Sequence, residues 1–530
     1  MTFNDFLNYA IMFIFAAAMI GIAVYTRSRS KSVNDFLLAG KKGLNGWMTA
    51  FAYGTTYFSA VIFIGYAGQF GRSFGLASVW IGIGNAIIGT LIAWLVLAKR
   101  TKNMTLRLGA KTMPEFFEKR YGSSKLKLVS AIIIFIFLIP YSASVYNGIS
   151  SLFEIVFNIP GWVVMIILAV LTAVYLFFGG YFATALSDFV QGIVMIIGVV
   201  IMIILFMNHG TVDWDISKLV SDSNLTWFTF NADNSHPIYG STTSLLALIG
   251  LTSFGVWALP QTIHKYYAIR DKKAIFQGIV VSTAFALLIG FIAYFSGALS
   301  HLVPETSAID PTTGKYIVPD SAVIPTMLNT IIKPVGFGLI GIIAVLILSA
   351  SMSTLSSVSL ASASVVAVDL YKGAIDKKAN DKKVNWVMRI LCLVFIIISV
   401  VLAVLNEELG ITAIAYLMGI SWGTLAGCFM GPYVLGVLWK RVTKPAVWAS
   451  ISSSLALTVI LIVVLGICHP QYAGTFGSMI KLGVSCSPLI GVICMAFSLV
   501  ITVIVSLCTK KPNDEILHNA FDKPIEGEIK

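Results

Sequence analysis

The sequence predicts an all-α polytopic membrane protein: thirteen transmembrane helices built on a five-plus-five inverted repeat, with the N-terminus outside and the C-terminus cytoplasmic. Three observations predict it. Of 530 residues, 57% are hydrophobic and 11% charged, with a mean hydropathy of +0.88, more apolar surface than a soluble core can use. Apolar runs of about 20 residues, the length that crosses a bilayer, fill nearly the whole chain. Lys and Arg gather in alternate breaks between those runs, which marks one side as cytoplasmic.

The first run, 6–25, has no basic region before it and no small-residue cleavage site after it, so it reads as a retained span. Further spans are expected near 44–70, 77–98, 127–157, 160–178, 180–207, 242–264, 274–303, 335–370, 385–405, 410–439, 445–467 and 482–508. With the N-terminus outside, the cytoplasmic segments collect Arg27/Arg29/Lys31, Lys99/Arg100/Lys102, Lys265/Arg270/Lys272/Lys273, Lys377/Lys378/Lys382/Lys383 and Lys440/Arg441/Lys444. Arg72, Lys218, Lys315, Lys333 and Lys481 then remain outside.

The second span carries Tyr53-Gly54-Thr55-Thr56 at its middle, and the seventh carries Thr252-Ser253-Phe254-Gly255 followed by Pro260. Both read as broken helices. They lie five spans apart, and because five is odd the second copy enters from the opposite face, the pattern of an inverted repeat. Gly and Pro are frequent in membrane helices, so one interruption says little; a matched pair says more. The chain then divides into a leading helix and loop (1–43), a repeat core (44–440, with halves 44–207 and 242–440), two additional helices (441–508) and a cytoplasmic tail (509–530).

Within the ninth span, Ser349-Ala350-Ser351-Met352-Ser353-Thr354-Leu355-Ser356-Ser357 is a dense run of small hydroxyl residues. At helical spacing Ala350, Ser353 and Thr354 share one face, and Ser353, Ser356 and Ser357 an overlapping one. Neutral oxygens in that pattern suit a weakly held alkali cation. Close helix packing by small residues accounts for the same pattern.

Asp188 is the acidic residue that falls clearly within a span, while Asp369 and Glu154 sit near span ends. An intramembrane carboxylate is costly and points to a cation ligand, an exit-path ligand or a proton carrier, against a solvated or packing role near the helix end. The six histidines fall in loops or at span ends, leaving no buried imidazole for a proton relay. The six cysteines show no CxxC spacing, so neither a disulfide framework nor a metal site is expected. The net charge of +12 is spread among short loops and reports topology rather than nucleic-acid binding. No Walker A sequence and no buried nucleophile–base pair stands out, so no enzyme is expected. The segment 113–120 reads as a short amphipathic helix on the cytoplasmic surface.

The chain resembles the sodium/solute symporter family over nearly its whole length. The resemblance rests on Asp35-Phe-Leu-Leu-Ala-Gly40, Ser59-Ala-Val-Ile-Phe-Ile-Gly65, Thr112-Met-Pro-Glu115-Phe, Gly179-Gly180 leading to Ser187-Asp188, and Met352-Ser-Thr-Leu-Ser356 running to Asp369-Leu-Tyr-Lys372. It implies a sodium site with carbonyls from Thr55, Phe58 and Ala350 and hydroxyls from Ser353 and Thr354. It further implies a second sodium, or an exit path, at Asp188, Ser356 and Ser357.

Ile62 stands where sugar symporters of the family place a glutamine, and Tyr57 where proline symporters place an aspartate. Leu259-Pro-Gln-Thr262, Lys272-Lys-Ala-Ile275 and Val323-Ile-Pro-Thr326 resemble the pantothenate branch, with the proline branch next. The resemblance thus implies a multi-pass protein of the plasma (inner) membrane that imports a small carboxylate-bearing solute, such as pantothenate or another monocarboxylate, with sodium. A sodium/proline or other amino-acid symporter is the alternative; a sugar symporter, a channel and a membrane sensor fit less well. Tyr57, Tyr141, Ser144, Ser253 and Trp257 are the candidates for the solute pocket, and each also suits packing. The expected partners are the solute, sodium ions and the lipid bilayer.

Overall fold

A computed structural model describes residues 2–27, 32–38, 44–223, 226–228, 238, 241–312, 314–409, 414–524 and 528–529. Arg29, Lys31 and the end of the Asp35–Gly40 motif lie outside the described residues. Among the described residues the chain is nearly all helix, with two isolated bridges, Leu44 to Ile269 and Ile309 to Tyr316, and no sheet. Among the described residues, eleven helices are long and apolar enough to cross a membrane, from Phe3–Thr26 to Ser487–Cys508. Their outer faces expose large apolar side chains such as Phe13, Ile136, Ile167, Ile397 and Ile504, a surface suited to hydrocarbon.

Two helices exceed any single crossing. Val61–Leu108 has 48 residues and Gly161–Met207 has 47, roughly 70 Å each at helical rise against a hydrocarbon core of about 30 Å. Each is interrupted by a glycine with positive φ: Gly75 (φ 55°) and Gly180 (φ 58°, ψ −154°). At Gly180 a Cβ would also meet the Phe36 ring at 2.7 Å.

Both expected breaks are present. The Gly46–Tyr57 helix, capped by the Asn45 side chain, stops where Phe58 turns extended (φ −102°, ψ 122°). Thr55 and Thr56 turn their hydroxyls back to the carbonyls of Phe51 and Ala52 (2.8 and 2.6 Å), and Ser59 Oγ accepts the Val61 N–H at 3.3 Å. Local side-chain bonds of this kind compete with the helix ladder and favour a stop and a restart. In the other half, Ser241–Gly255 ends and Pro260–Tyr267 begins with proline at its first turn, where the missing N–H costs nothing.

The Leu339–Ser364 helix runs through the middle of the bundle, and its hydroxyl residues from Ser349 to Ser364 are all buried. Against the first half, helix Lys272–Ala298 packs backbone to backbone. A Cβ at Gly297 would stand 1.8 Å from the Ala67 carbonyl oxygen, and one at Gly82 would stand 2.6 Å from Gly290.

The 113–120 segment forms the expected helix, with its aromatic face turned to protein. Thr112 caps a helix over Met113–Tyr121, but its aromatic face does not lie on a membrane surface. Phe116 and Phe117 are fully buried against Tyr433 and Phe429, and buried Arg120 donates to the carbonyls of Gly436, Trp439 and Lys440. This helix seals the ends of neighbouring helices. The tail folds back nearby: Asn103 and Ile529 exchange two hydrogen bonds of 3.0 Å, and Lys440 donates to Asp522 at 2.8 Å, holding that carboxyl below the usual carboxylate range.

Candidate functional site

The end of Gly46–Tyr57 meets the middle of Leu339–Ser364. Ser353 Oγ donates to the Thr55 carbonyl at 3.0 Å and lies equally close to the Ala350 carbonyl. Thr354 Oγ1 lies 3.4 Å from the Thr56 carbonyl and 3.2 Å from that of Ala350. Because the first helix breaks at Phe58, its last carbonyls are turned towards a neighbouring helix. All of these groups are buried. The result is a knot of neutral hard oxygens, two hydroxyls among three carbonyls, of the kind that broken helices present to sodium. Of the five expected ligands, the structure brings together Thr55, Ala350, Ser353 and Thr354; Phe58 supplies the break itself.

One turn further along, a lysine from the basic cluster after the seventh span enters the bundle. Lys265 was expected in a solvated basic loop. It is instead 1% exposed, in the Pro260–Tyr267 helix beyond the second break. Its Nζ donates to Ser357 Oγ at 2.8 Å, lies 3.6 Å from Asp188 Oδ2, and sits 5.2 Å from the centre of the Tyr181 ring. Ser357 Oγ is in turn 2.9 Å from Thr56 Oγ1. Ser356 turns away, donating to the Ser353 carbonyl at 3.0 Å. Asp188 is fully buried, and neither carboxylate oxygen accepts a hydrogen bond within normal range.

One further expectation changes, and a carboxylate near a span end proves fully enclosed. His264 is buried against Tyr181 and Tyr267, so the helix beyond the break does contain an enclosed imidazole. Asp369, expected near a span end, is fully buried and accepts from Thr112 at 2.7 Å, with Lys127 at 3.8 Å.

The solute candidates fall into groups. Tyr57 and Tyr141 both pack edge-on against Trp422 (5.8 and 5.5 Å between ring centres), and Trp422 was not singled out from sequence. The buried Tyr141 hydroxyl, without a hydrogen-bond partner, faces Ser59 and Thr354. Tyr57 donates to the Thr252 carbonyl at the second break. Ser253 and Trp257 pack on the Asn85–Ile92 helix through Asn85 Oδ1 (3.4 Å) and the Ile88 carbonyl (3.0 Å). Ser144 bonds to its own helix at the Tyr141 carbonyl. A separate cavity of about 390 Å³ beside Gly65 and Gln69 is lined by Asn147, Glu154, Asp320 and Glu407, and by none of the five candidates.

Broken helices whose carbonyls face a hydroxyl-bearing helix inside an apolar bundle define a secondary transporter. The model of the sodium:solute symporter family matches residues 36–453. The chain belongs to that family, one of transporters rather than enzymes. It is 28% identical to a sodium/proline symporter of Haemophilus influenzae, over 97% of this chain and 96% of that one. It is 27% identical to the osmoregulated proline transporter OpuE of Bacillus subtilis (86% and 88%) and 27% to a sodium/pantothenate symporter of Haemophilus influenzae (85% and 88%). The fold is similar to that of a Na+-coupled sialic acid symporter captured in a substrate-bound outward-open state, with a TM-score of 0.72 at 18% identity, covering 96% of this chain and 99% of that one.

Proposed function

We propose that this protein is a sodium-coupled symporter importing a small carboxylate-bearing solute by alternating access. The observation that carries the reading is the contact of Ser353 and Thr354 with the carbonyls of Thr55 and Thr56 at the helix break. Sodium binds there, to the Thr55, Phe58 and Ala350 carbonyls and the two hydroxyls. The solute lies alongside, against Tyr57, Tyr141 and Trp422, with Ser253 and Trp257 lining its approach and Ser144 backing the Tyr141 turn. Occupation of the sodium site ties the first broken helix to Leu339–Ser364, and solute binding completes the closure.

The same reading carries a thirteen-crossing topology. Val61–Leu108 and Gly161–Met207 each change direction at their glycine, so that the second to eleventh crossings form the inverted repeat. The N-terminus lies outside, and the tail is cytoplasmic in the plasma (inner) membrane. One sodium crossing about 100 mV yields about 2.3 kcal/mol, and a tenfold sodium gradient adds about 1.4 kcal/mol. The sum supports roughly 500-fold accumulation of a neutral solute.

Proline and pantothenate, the solutes named for the relatives, are the first probes; both carry a carboxylate, and proline fits as well as pantothenate. The test is uptake into proteoliposomes of labelled proline, pantothenate, other monocarboxylates and hexoses, driven by sodium, lithium or protons. Sodium-driven, saturable uptake of one acid supports the proposal. Uptake indifferent to sodium overturns it.

A further inference from the structure

Asp188 is a carboxylate in the middle of an apolar bundle, fully buried and without a hydrogen-bond donor at normal range. A charge so placed requires a cation beside it. The cation the structure puts there is Lys265, with Nζ at 3.6 Å. We propose that this ammonium permanently fills the second cation position of the transporter, so that one sodium, not two, is bound in each cycle.

Three features point the same way. First, the ammonium takes two of the three residues expected to hold a second sodium, Asp188 and Ser357, while Ser356 bonds to its own helix. A sodium added to this space would set two positive charges against one carboxylate where water is excluded, and like charges repel strongly at low dielectric. Second, the ammonium is built into the site: Lys265 is 1% exposed, bonded to Ser357 and set over the face of Tyr181, an arrangement that favours a cation. Third, it is wired to the first site. Ser357 touches Thr56 at 2.9 Å, and the Thr56 carbonyl faces Thr354. Lys265 therefore braces the helix break from the side of Asp188, as a bound ion would. Being tethered to Pro260–Tyr267, it is never carried across.

The inference rests on the sodium site proposed above, and one experiment separates the two. Equilibrium binding of radiolabelled sodium to the purified full-length protein counts ions per chain without any solute. Wild type is expected to bind one sodium with a hyperbolic isotherm, and Lys265→Arg likewise. Lys265→Ala is expected to bind two, and Asp188→Asn/Lys265→Ala to return to one. Lys265→Gln, which can still donate to Ser357, serves if Lys265→Ala does not fold. Two sodium ions in wild type, or one in both neutral Lys265 variants, would overturn the inference and leave the first site standing. No sodium in wild type, with one gained in Lys265→Ala and lost again in the double variant, would remove the first site and overturn the count of one, while upholding Lys265 as the occupant of the second cation position. No sodium in any of these proteins would overturn both.

Discussion

Ser353→Ala isolates one oxygen of the proposed sodium site. The hydroxyl lies 3.0 Å from the carbonyls of Thr55 and Ala350, on two different helices. In the absence of sodium its removal takes away a neutral hydrogen bond worth about 1 kcal/mol, partly offset by the better helix propensity of alanine, so the protein should fold and melt close to wild type. With sodium bound, the lost contact is to a full charge, worth about 1.5–3 kcal/mol. The affinity changes by the difference between the two states, about 0.5–2 kcal/mol, so apparent sodium affinity should fall roughly two- to thirtyfold. The assay is the sodium concentration giving half-maximal uptake of labelled proline or pantothenate in proteoliposomes, paired with a thermal melt in sodium-free buffer. Thr354→Ala should behave alike, and Thr354→Ser should retain most of the affinity. A role in packing alone predicts the reverse, with a shifted melt and an unchanged sodium dependence. Unchanged half-saturation in both alanine variants would refute the site.

Three other outcomes are expected. Cys468 and Cys508 are both exposed; with thirteen crossings and the N-terminus outside, an impermeant maleimide should label Cys468 on intact cells and Cys508 only after permeabilisation, and the opposite pattern would invert the topology. Sodium-driven uptake of proline or pantothenate should exceed that of any hexose, since Ile62 offers a sugar no hydrogen bond; hexose transport matching the best acid would remove that argument. Gly180→Ala forces a side chain into a backbone conformation that costs about 1–3 kcal/mol outside glycine, with Phe36 already in the space. Its melting temperature should drop by several degrees, and a wild-type melt would show that the break does not depend on glycine.

The broken helices were legible because their causes are local: paired threonines before Phe58 and a proline opening Pro260–Tyr267 act within one turn. The Ser353 and Thr354 face was legible through helical spacing alone. Lys265 was not. In sequence it stands with Arg270, Lys272 and Lys273 and reads as part of a solvated loop, because its partner Asp188 lies in a distant span and no periodicity connects them. The available signal was its position five residues after Pro260, too close to a mid-membrane break to reach water. His264 escaped notice for the same reason. The Met113–Tyr121 helix showed its apolar face clearly, yet spacing cannot say whether such a face meets lipid or protein; Phe429 and Tyr433 decide that from the far end of the chain. Trp422 stands among Gly419, Ser421 and Gly423, small residues that read as ordinary helix packing, although it sits against two of the tyrosines chosen for the solute.

The glycine contacts between Lys272–Ala298 and the first half set what can move. Side chains that interdigitate can exchange rotamers and slide, whereas backbone resting on backbone at Gly297 and Gly82 has nothing to rearrange. In the transport cycle proposed above, that seam serves as a fulcrum, and the travel between outward and inward states falls on interfaces whose bonds can be traded one for another. The hydroxyl face of Leu339–Ser364 is such an interface. There Ser353 stands 3.0 Å from a carbonyl of each helix, Thr55 and Ala350, so its one proton can turn from the neighbour to its own helix without the side chain leaving its place.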